Sequence, residues 1–157
     1  LELLDQAGSL DAVLTPVGGG GLLSGTALAV KGLHPSIRVI GAEPAAADDA
    51  LRSLRTGTIQ PSNDPKTVAD GLRTSLGARP FTVIRRLVDD IVTVSESEIL
   101  DALRFVWERI KIVIEPSSAV PVAALLSGRV PNPGRVGVIL SGGNVDTSPL
   151  IAAYGSA

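Results

Sequence analysis

Apolar and polar positions fall along this chain in alternating blocks. Short apolar runs cover residues 12–17, 37–42, 91–94 and 136–140. Each is too brief for a helix and too continuously apolar for a strand with one wet face, so each reads as a strand buried on both sides. Between them, residues 22–30, 48–54, 80–87 and 116–127 read as helices, and the residues before Gly8 as the last turns of another. Ser95 followed by Glu98 makes a capping box, and Ile99, Leu103, Val106 and Ile110 behind it fall at helical spacing, predicting a helix to about Val113. A turn at His34-Pro35-Ser36 and a loop over residues 56–70, rich in Gly, Pro, Ser and Asn, punctuate the pattern. There is no internal repeat and no low-complexity tract. Buried strands separated by helices predict an α/β fold, a mostly parallel sheet with helices on both faces. Ligands of such sheets bind beyond the carboxyl ends of the strands, the edge that Gly18–Gly21, Glu43 and Ser141–Asn144 occupy.

The glycine run Gly18–Gly21 joins the first strand directly to the helix that begins at Leu22. Such a junction aims free backbone N–H groups at one point, the helix dipole adds positive potential, and no Cβ obstructs an approaching anion. One or two glycines suffice for a tight turn, so this run predicts a phosphate site. No Lys-Ser or Lys-Thr follows, which excludes the Walker pattern. The dinucleotide fingerprint is a near miss, with Ser24 where a third glycine is needed, while Glu43 stands where an acidic residue would hold a ribose. A nucleotide reading stays open on these residues alone.

Composition narrows the classes. With 157 residues, 45% of them hydrophobic, the chain can bury one sizeable core. A formal net charge of −2 and 3% aromatic residues leave no footprint for nucleic acid. The absence of Cys excludes disulfides and thiolate chemistry and fits a cytoplasmic setting. No apolar stretch approaches the ~20 residues that span a bilayer, and the first residues lack the pattern of a signal peptide. The chain has no Met, even at position 1, and reads as a piece of something longer.

Five segments then coincide in order and spacing: Pro16-Val17 with the glycines, Gly41-Ala42-Glu43-Pro44, Ala69-Asp70-Gly71, Ile114-Glu115-Pro116-Ser117-Ser118-Ala119, and Leu140-Ser141-Gly142-Gly143-Asn144-Val145-Asp146. Together they resemble the fold-type II pyridoxal-phosphate enzymes, in the branch of the serine racemases and the threonine/serine dehydratases. The similarity runs through residues 1–157 but corresponds to the C-terminal part of the cofactor-binding catalytic domain.

The resemblance implies a function: β-elimination of L-threonine or L-serine to a 2-oxo acid and ammonia, with serine racemisation as a companion activity. It implies that Gly18, Gly19, Gly20, Gly21 and Leu22 cradle the cofactor phosphate, with Gly142 also against the cofactor, and that the Ser141 hydroxyl partners the ring nitrogen. It places Glu115 near the cofactor, and Lys111 and Asn144 where racemases contact a nucleotide. Glu43, Ala47 and Asp49 offer two carboxylates and a carbonyl, an all-oxygen set suited to Mg²⁺ or Ca²⁺, and relatives hold a divalent ion with the same spacing. Asp48 would point away. The Schiff-base lysine of the family lies upstream of the glycine loop in a Ser-x-Lys-x-Arg motif, and Lys31, Lys66 and Lys111 match nothing of the kind. Turnover is therefore expected to need an N-terminal half, supplied as a segment or a separate chain, in an enzyme expected to be a homodimer. The remaining alternatives are a non-catalytic ligand-binding fragment and a Rossmann-type nucleotide domain. His34 is expected at the surface, Trp107 in packing, and Asp89-Asp90 in a solvated loop.

Overall fold

A computed structural model describes residues 1–146 and 148. In chain order the elements are α1 (Glu2–Ala7), β1 (Ala12–Pro16), α2 (Gly21–Leu33), β2 (Arg38–Pro44), α3 (Asp49–Thr56), α4 (Ala78–Leu87), β3 (Asp90–Val94), α5 (Glu96–Phe105), α6 (Pro116–Leu126) and β4 (Val136–Val138). The four strands form one sheet in the order β3-β2-β1-β4, and every neighbouring pair is parallel. The expected α/β architecture is what folds.

Burial follows from the apolar runs. All five residues of β1 are buried, and their side chains divide between the two faces of the sheet with the strand's two-residue period. Ala12 and Leu14, with Ile40 and Ala42 from β2, pack into a cluster with Ile99, Leu103, Ala119 and Val120 of α5 and α6. Val13 and Val39 belong to a second cluster, with Val17, Leu23, Ala27, Phe81 and Ile84, the last four drawn from α2 and α4. The sheet is thus coated by two separate apolar layers. The register pairs Val13 with Val39, Leu14 with Ile40 and Pro16 with Ala42, so β2 runs on past the end of β1 to Pro44. Pro16 donates nothing to the ladder, and it sits at the last position of its strand, where Val17 N–H resumes the bonding to Ala42 O at 2.9 Å.

The capping box forms as expected: Glu98 N–H donates to Ser95 Oγ at 3.3 Å, and Ser95 N–H donates to Glu98 Oε2 at 2.7 Å. Three expectations need correction. The helix after Ser95 ends its α-helical part at Phe105 and widens into a π turn over Val106–Ile110, closed by Lys111 at φ 64°. The run Ile110-Lys111-Ile112-Val113-Ile114 is rich in β-branched residues that fit a helix poorly, and Trp107 Nε1 donates to Ile114 O at 3.0 Å, drawing the chain back on itself. The last strand is shorter than residues 136–140, although Ile139 N–H still bonds Leu14 O at 2.9 Å. Asp89-Asp90 is not merely a solvated loop: Asp90 opens β3 opposite Ile40, and Asp89 pairs with Lys31 Nζ at 2.8 Å and accepts Val39 N–H at 2.7 Å. His34 is exposed and Trp107 half-buried, as expected.

Candidate functional site

The carboxyl edge of the sheet carries a cavity of about 200 Å³ lined by Pro16, Gly18 to Leu22, Gly71, Leu72, Glu115, Ser117 and Ser141. Two helices begin at its wall. Gly20, at φ 87°, is the N-cap of α2, and the left-handed turn it needs is open to glycine. Ser24 N–H makes the first bond inside α2, to Gly20 O at 2.9 Å, so the N–H groups before it are those that a helix start leaves for a ligand. From the other layer, α6 begins with Pro116 after its N-cap Glu115 and brings the same kind of positive end to the cavity. Neither Lys nor Arg lines it, so an anion there is held by amides and helix dipoles.

The four glycines divide by what surrounds them. A Cβ on Gly18 would lie 2.8 Å from Thr74 Cγ2 and 3.3 Å from Leu72 Cα, and one on Gly20, already at φ 87°, would lie 2.7 Å from Leu76 Cδ1, so the surroundings of both favour glycine. On Gly21 a Cβ would meet nothing within 4 Å, and on Gly19 the nearest atom is 3.8 Å away. The protein's own packing does not require those two. Helix propensity would favour Ala at Gly21 by up to about 1 kcal/mol. Their bareness keeps open the space that a phosphate would take.

A loop to which the sequence assigned no site role lines part of the cavity with Gly71 and Leu72. Gly71 N–H donates to Ser117 Oγ at 3.1 Å, Leu76 N–H to Asp49 Oδ2 at 2.8 Å, and Gly77 N–H to Gly19 O at 3.1 Å. Upstream, Val68 N–H donates to Glu96 Oε2 at 2.7 Å, and Arg73 grips the Thr67 carbonyl. Gly71, Leu72 and Ser117 are the lining residues that sequence reasoning missed as a site. Their signals were the Ala69-Asp70-Gly71 segment and the Glu-Pro-Ser-Ser segment, which sets a helix start opposite the glycines.

Ser141 lies just past β4 and is exposed on the open side of the cavity. The segment after it is pressed against the start of α6. A Cβ on Gly142 would lie 2.7 Å from Glu115 Oε2, and one on Gly143 2.7 Å from Val113 O. Glu115 N–H donates to Gly142 O at 3.1 Å. Glu115 therefore joins the cavity, half-buried, between Gly71 and Gly142. Lys111 and Asn144 are both exposed, and Asn144 lines a separate hollow of about 360 Å³ to which Lys111 does not contribute.

Glu43 and Asp49 are each 1% exposed. Glu43 is carried by β2 and caps α3 from outside, accepting Leu51 N–H at 2.7 Å and Ala50 N–H at 3.3 Å. Burial pushes its carboxyl up to about 8, with the Asp49 charge adding to the rise and the two amides opposing it. Burial also raises Asp49, against the Leu76 amide. Ala47 is buried between them in the turn Ala45–Ala47. Asp48 faces elsewhere, bonded to Arg52 Nε at 2.7 Å. Among the described residues no group of three or more His, Cys, Asp and Glu side chains could hold a metal, so a cation here would rest on two carboxylates and carbonyl oxygen.

Residues 1–142 match the family described as "Pyridoxal-phosphate dependent enzyme". The chain belongs to that family. Its similarity to individual members extends over nearly its whole length. It is 50% identical to a serine racemase of Dictyostelium discoideum, over 96% of this chain and 48% of the relative. It is 49% identical to a beta-hydroxyaspartate dehydratase of Paracoccus denitrificans, over 95% of this chain and 48% of the relative. It superposes on the processed form of threonine deaminase isoform 2 from Solanum lycopersicum with a TM-score of 0.90 at 31% identity, covering 99% of this chain and 44% of that one. The chain thus spans about half the length of the relatives it matches. These relatives are enzymes, and the family supports neither the Rossmann-type nor the non-catalytic alternative. No helix among the described residues is long and apolar enough to cross a membrane.

Proposed function

We propose that this chain forms the phosphate and ring-nitrogen half of a pyridoxal-phosphate site that deaminates L-threonine or L-serine to a 2-oxo acid and ammonia, with serine racemisation as the competing outcome. The observation that carries the reading is the convergence of Gly18 to Leu22, the start of α6 and Ser141 on one cavity of about 200 Å³ without a cation. The residues fit the group. Gly19 and Gly21 leave the room that a phosphate needs, at the start of a helix whose first amides have no partner within it. A serine at the ring nitrogen is a neutral partner, in contrast to a carboxylate, and leaves that nitrogen largely unprotonated.

When bound, pyridoxal phosphate withdraws electrons from the α-carbon of an amino acid, so that its proton becomes acidic and a β-hydroxyl can leave. The chain's own residues hold and orient. Gly18 to Leu22 fix the phosphate through backbone N–H groups and the dipole of α2. Ser141 would hold the ring nitrogen through a hydrogen bond donated by its hydroxyl, keeping its own proton. The loop at Gly71 and Leu72, anchored by Ser117 and by Gly19 O, shields that arrangement from water. Glu115 holds the Ser141–Gly142 segment through its backbone N–H. The lysine that bonds the cofactor is supplied by a segment or chain preceding the glycine loop.

Glu43, Ala47 and Asp49 are proposed to hold a divalent cation. Two buried carboxyls that burial raises, with the Asp49 charge adding to the rise of Glu43, are an arrangement that a hard cation relieves. Its contribution is structural, since Asp49 also anchors the loop over the cavity through Leu76 N–H.

The test is product analysis with the N-terminal half supplied: pyruvate from L-serine or 2-oxobutanoate from L-threonine, with chiral analysis of the remaining serine. Release of either oxo acid is expected. Absence of both oxo acids and of D-serine refutes the proposal.

A further inference from the structure

The buried hydroxyl of Ser118 touches the residue on which the ring-nitrogen assignment rests, and nothing above gives it a role. Ser118 is fully buried in the first turn of α6. Its Oγ lies 2.7 Å from Gly142 O, 2.6 Å from Gly142 N and 3.2 Å from Ser141 Oγ. A hydroxyl has one proton and two lone pairs. Gly142 N–H can only donate and occupies one lone pair. Gly142 O can only accept and takes the proton. One lone pair is left, and the Ser141 hydroxyl faces it.

A second arrangement has nearly the same geometry. Gly142 O also receives Glu115 N–H at 3.1 Å, so it stays bonded if the Ser118 proton turns away from it. Ser118 can then donate to Ser141 Oγ while Ser141 donates its own proton outward. Only hydroxyl protons move between the two states, and Gly142 N–H stays on Ser118 in both. Chained donors polarise one another, so a Ser141 that accepts from Ser118 is a stronger donor to what lies beyond it.

We propose that Ser118 is a positioning residue that sets the direction and strength of the Ser141 hydrogen bond to the ring nitrogen. In one state Ser118 accepts the Ser141 proton. In the other it backs Ser141 as a donor and fixes the Ser141–Gly142 backbone by the same hydroxyl. This rests on the assignment of Ser141 to the ring nitrogen.

The experiment is a double-variant cycle on the complete enzyme, loaded with pyridoxal phosphate labelled with ¹⁵N in the ring. Ser118→Ala, Ser141→Ala and the pair are compared by the ring-nitrogen chemical shift, by steady-state kinetics and by circular dichroism. Ser118→Ala is expected to move the ring-nitrogen signal part of the way to its position in Ser141→Ala. It should lower kcat about fivefold, the size of one hydrogen bond, with little change in KM. In the Ser141→Ala background it should move the signal no further, because it acts through Ser141. Should Ser118→Ala fail to fold, Ser118→Cys, with a weaker donor of similar size, takes its place and is expected to shift the signal in the same direction. Equal effects of the Ser118 change in both backgrounds, or no effect on the ring nitrogen in either, overturn the proposal while leaving the site reading intact. A ring nitrogen indifferent to Ser141→Ala overturns the assignment of Ser141 itself.

Discussion

Replacing Glu43 by Gln tests whether a buried carboxyl governs the stability of the carboxyl edge. In the fold, Glu43 holds its proton up to about pH 8, whereas its ordinary value is 4.5, so burial is the main cause of the rise. Between those limits the folded chain carries a proton that the unfolded chain has lost. Stability is then full below about pH 4.5, falls as pH rises, and levels off above about pH 8. The slope for one proton is about 1.4 kcal/mol per pH unit. Between pH 5 and pH 7 the loss is on the order of 2–3 kcal/mol, or roughly 5–10 °C in Tm for a chain of this size. Gln at 43 cannot ionise, and its side-chain oxygen can still accept Leu51 N–H. The assay is a set of thermal melts at several pH values in chelator, for the parent and Glu43→Gln, with the difference between them as the readout. The difference should favour the parent less as pH rises. Mg²⁺ or Ca²⁺ should raise Tm in the parent at pH 7–8, where a cation stabilises the ionised pair, and leave Glu43→Gln unmoved. Parallel melts across pH 5 to 8, with no response to either ion, refute both the burial argument and the cation site.

The glycines give opposed outcomes. Gly21→Ala should leave the unliganded fold as stable or slightly more so while weakening cofactor affinity, whereas Gly18→Ala should lower Tm through contact with Thr74 and Leu72; melts paired with cofactor titration separate the two. Equal loss of stability in both would contradict the division drawn from their surroundings. Gly19→Asp, which puts a carboxylate beside the phosphate, should abolish cofactor binding in a chain that still folds. Ser95→Ala should cost about 1 kcal/mol through loss of the capping box, read by denaturant unfolding.

What could be seen in the sequence was local. Ser95 and Glu98 announce their helix because both partners of the cap lie within four residues, and the apolar runs announce a parallel sheet because burial on both faces leaves no polar alternation. The glycine run stood out because its length exceeds what a turn needs. The loop over the cavity could not be seen in this way. Its shape comes from Leu76 bonding Asp49, Gly77 bonding Gly19 and Gly71 bonding Ser117, contacts between distant parts of the chain that leave no periodic mark. The π turn was hidden for a related reason, since Ile110 keeps helical spacing while Trp107 bonds back to Ile114 and ends the regular helix early. Glu43 and Asp49 were legible as a pair of carboxylates, but the rise in both follows from burial that only the fold creates.

The two apolar layers that coat the sheet meet at the cavity from opposite sides. The amides of α2 are anchored in the layer of Val13, Leu23 and Ile84, while the start of α6 and the serines it steadies are anchored in the layer of Leu14, Leu103 and Val120. On the proposed reading the ligand would be held along a seam, and each half of it would report on a different core. Damage confined to the α2–α4 layer would loosen the grip on the phosphate and leave the ring's hydrogen bond in place, and damage to the α5–α6 layer would do the reverse. A weakened variant can thus be traced to one core by which end of the same small molecule it fails to hold.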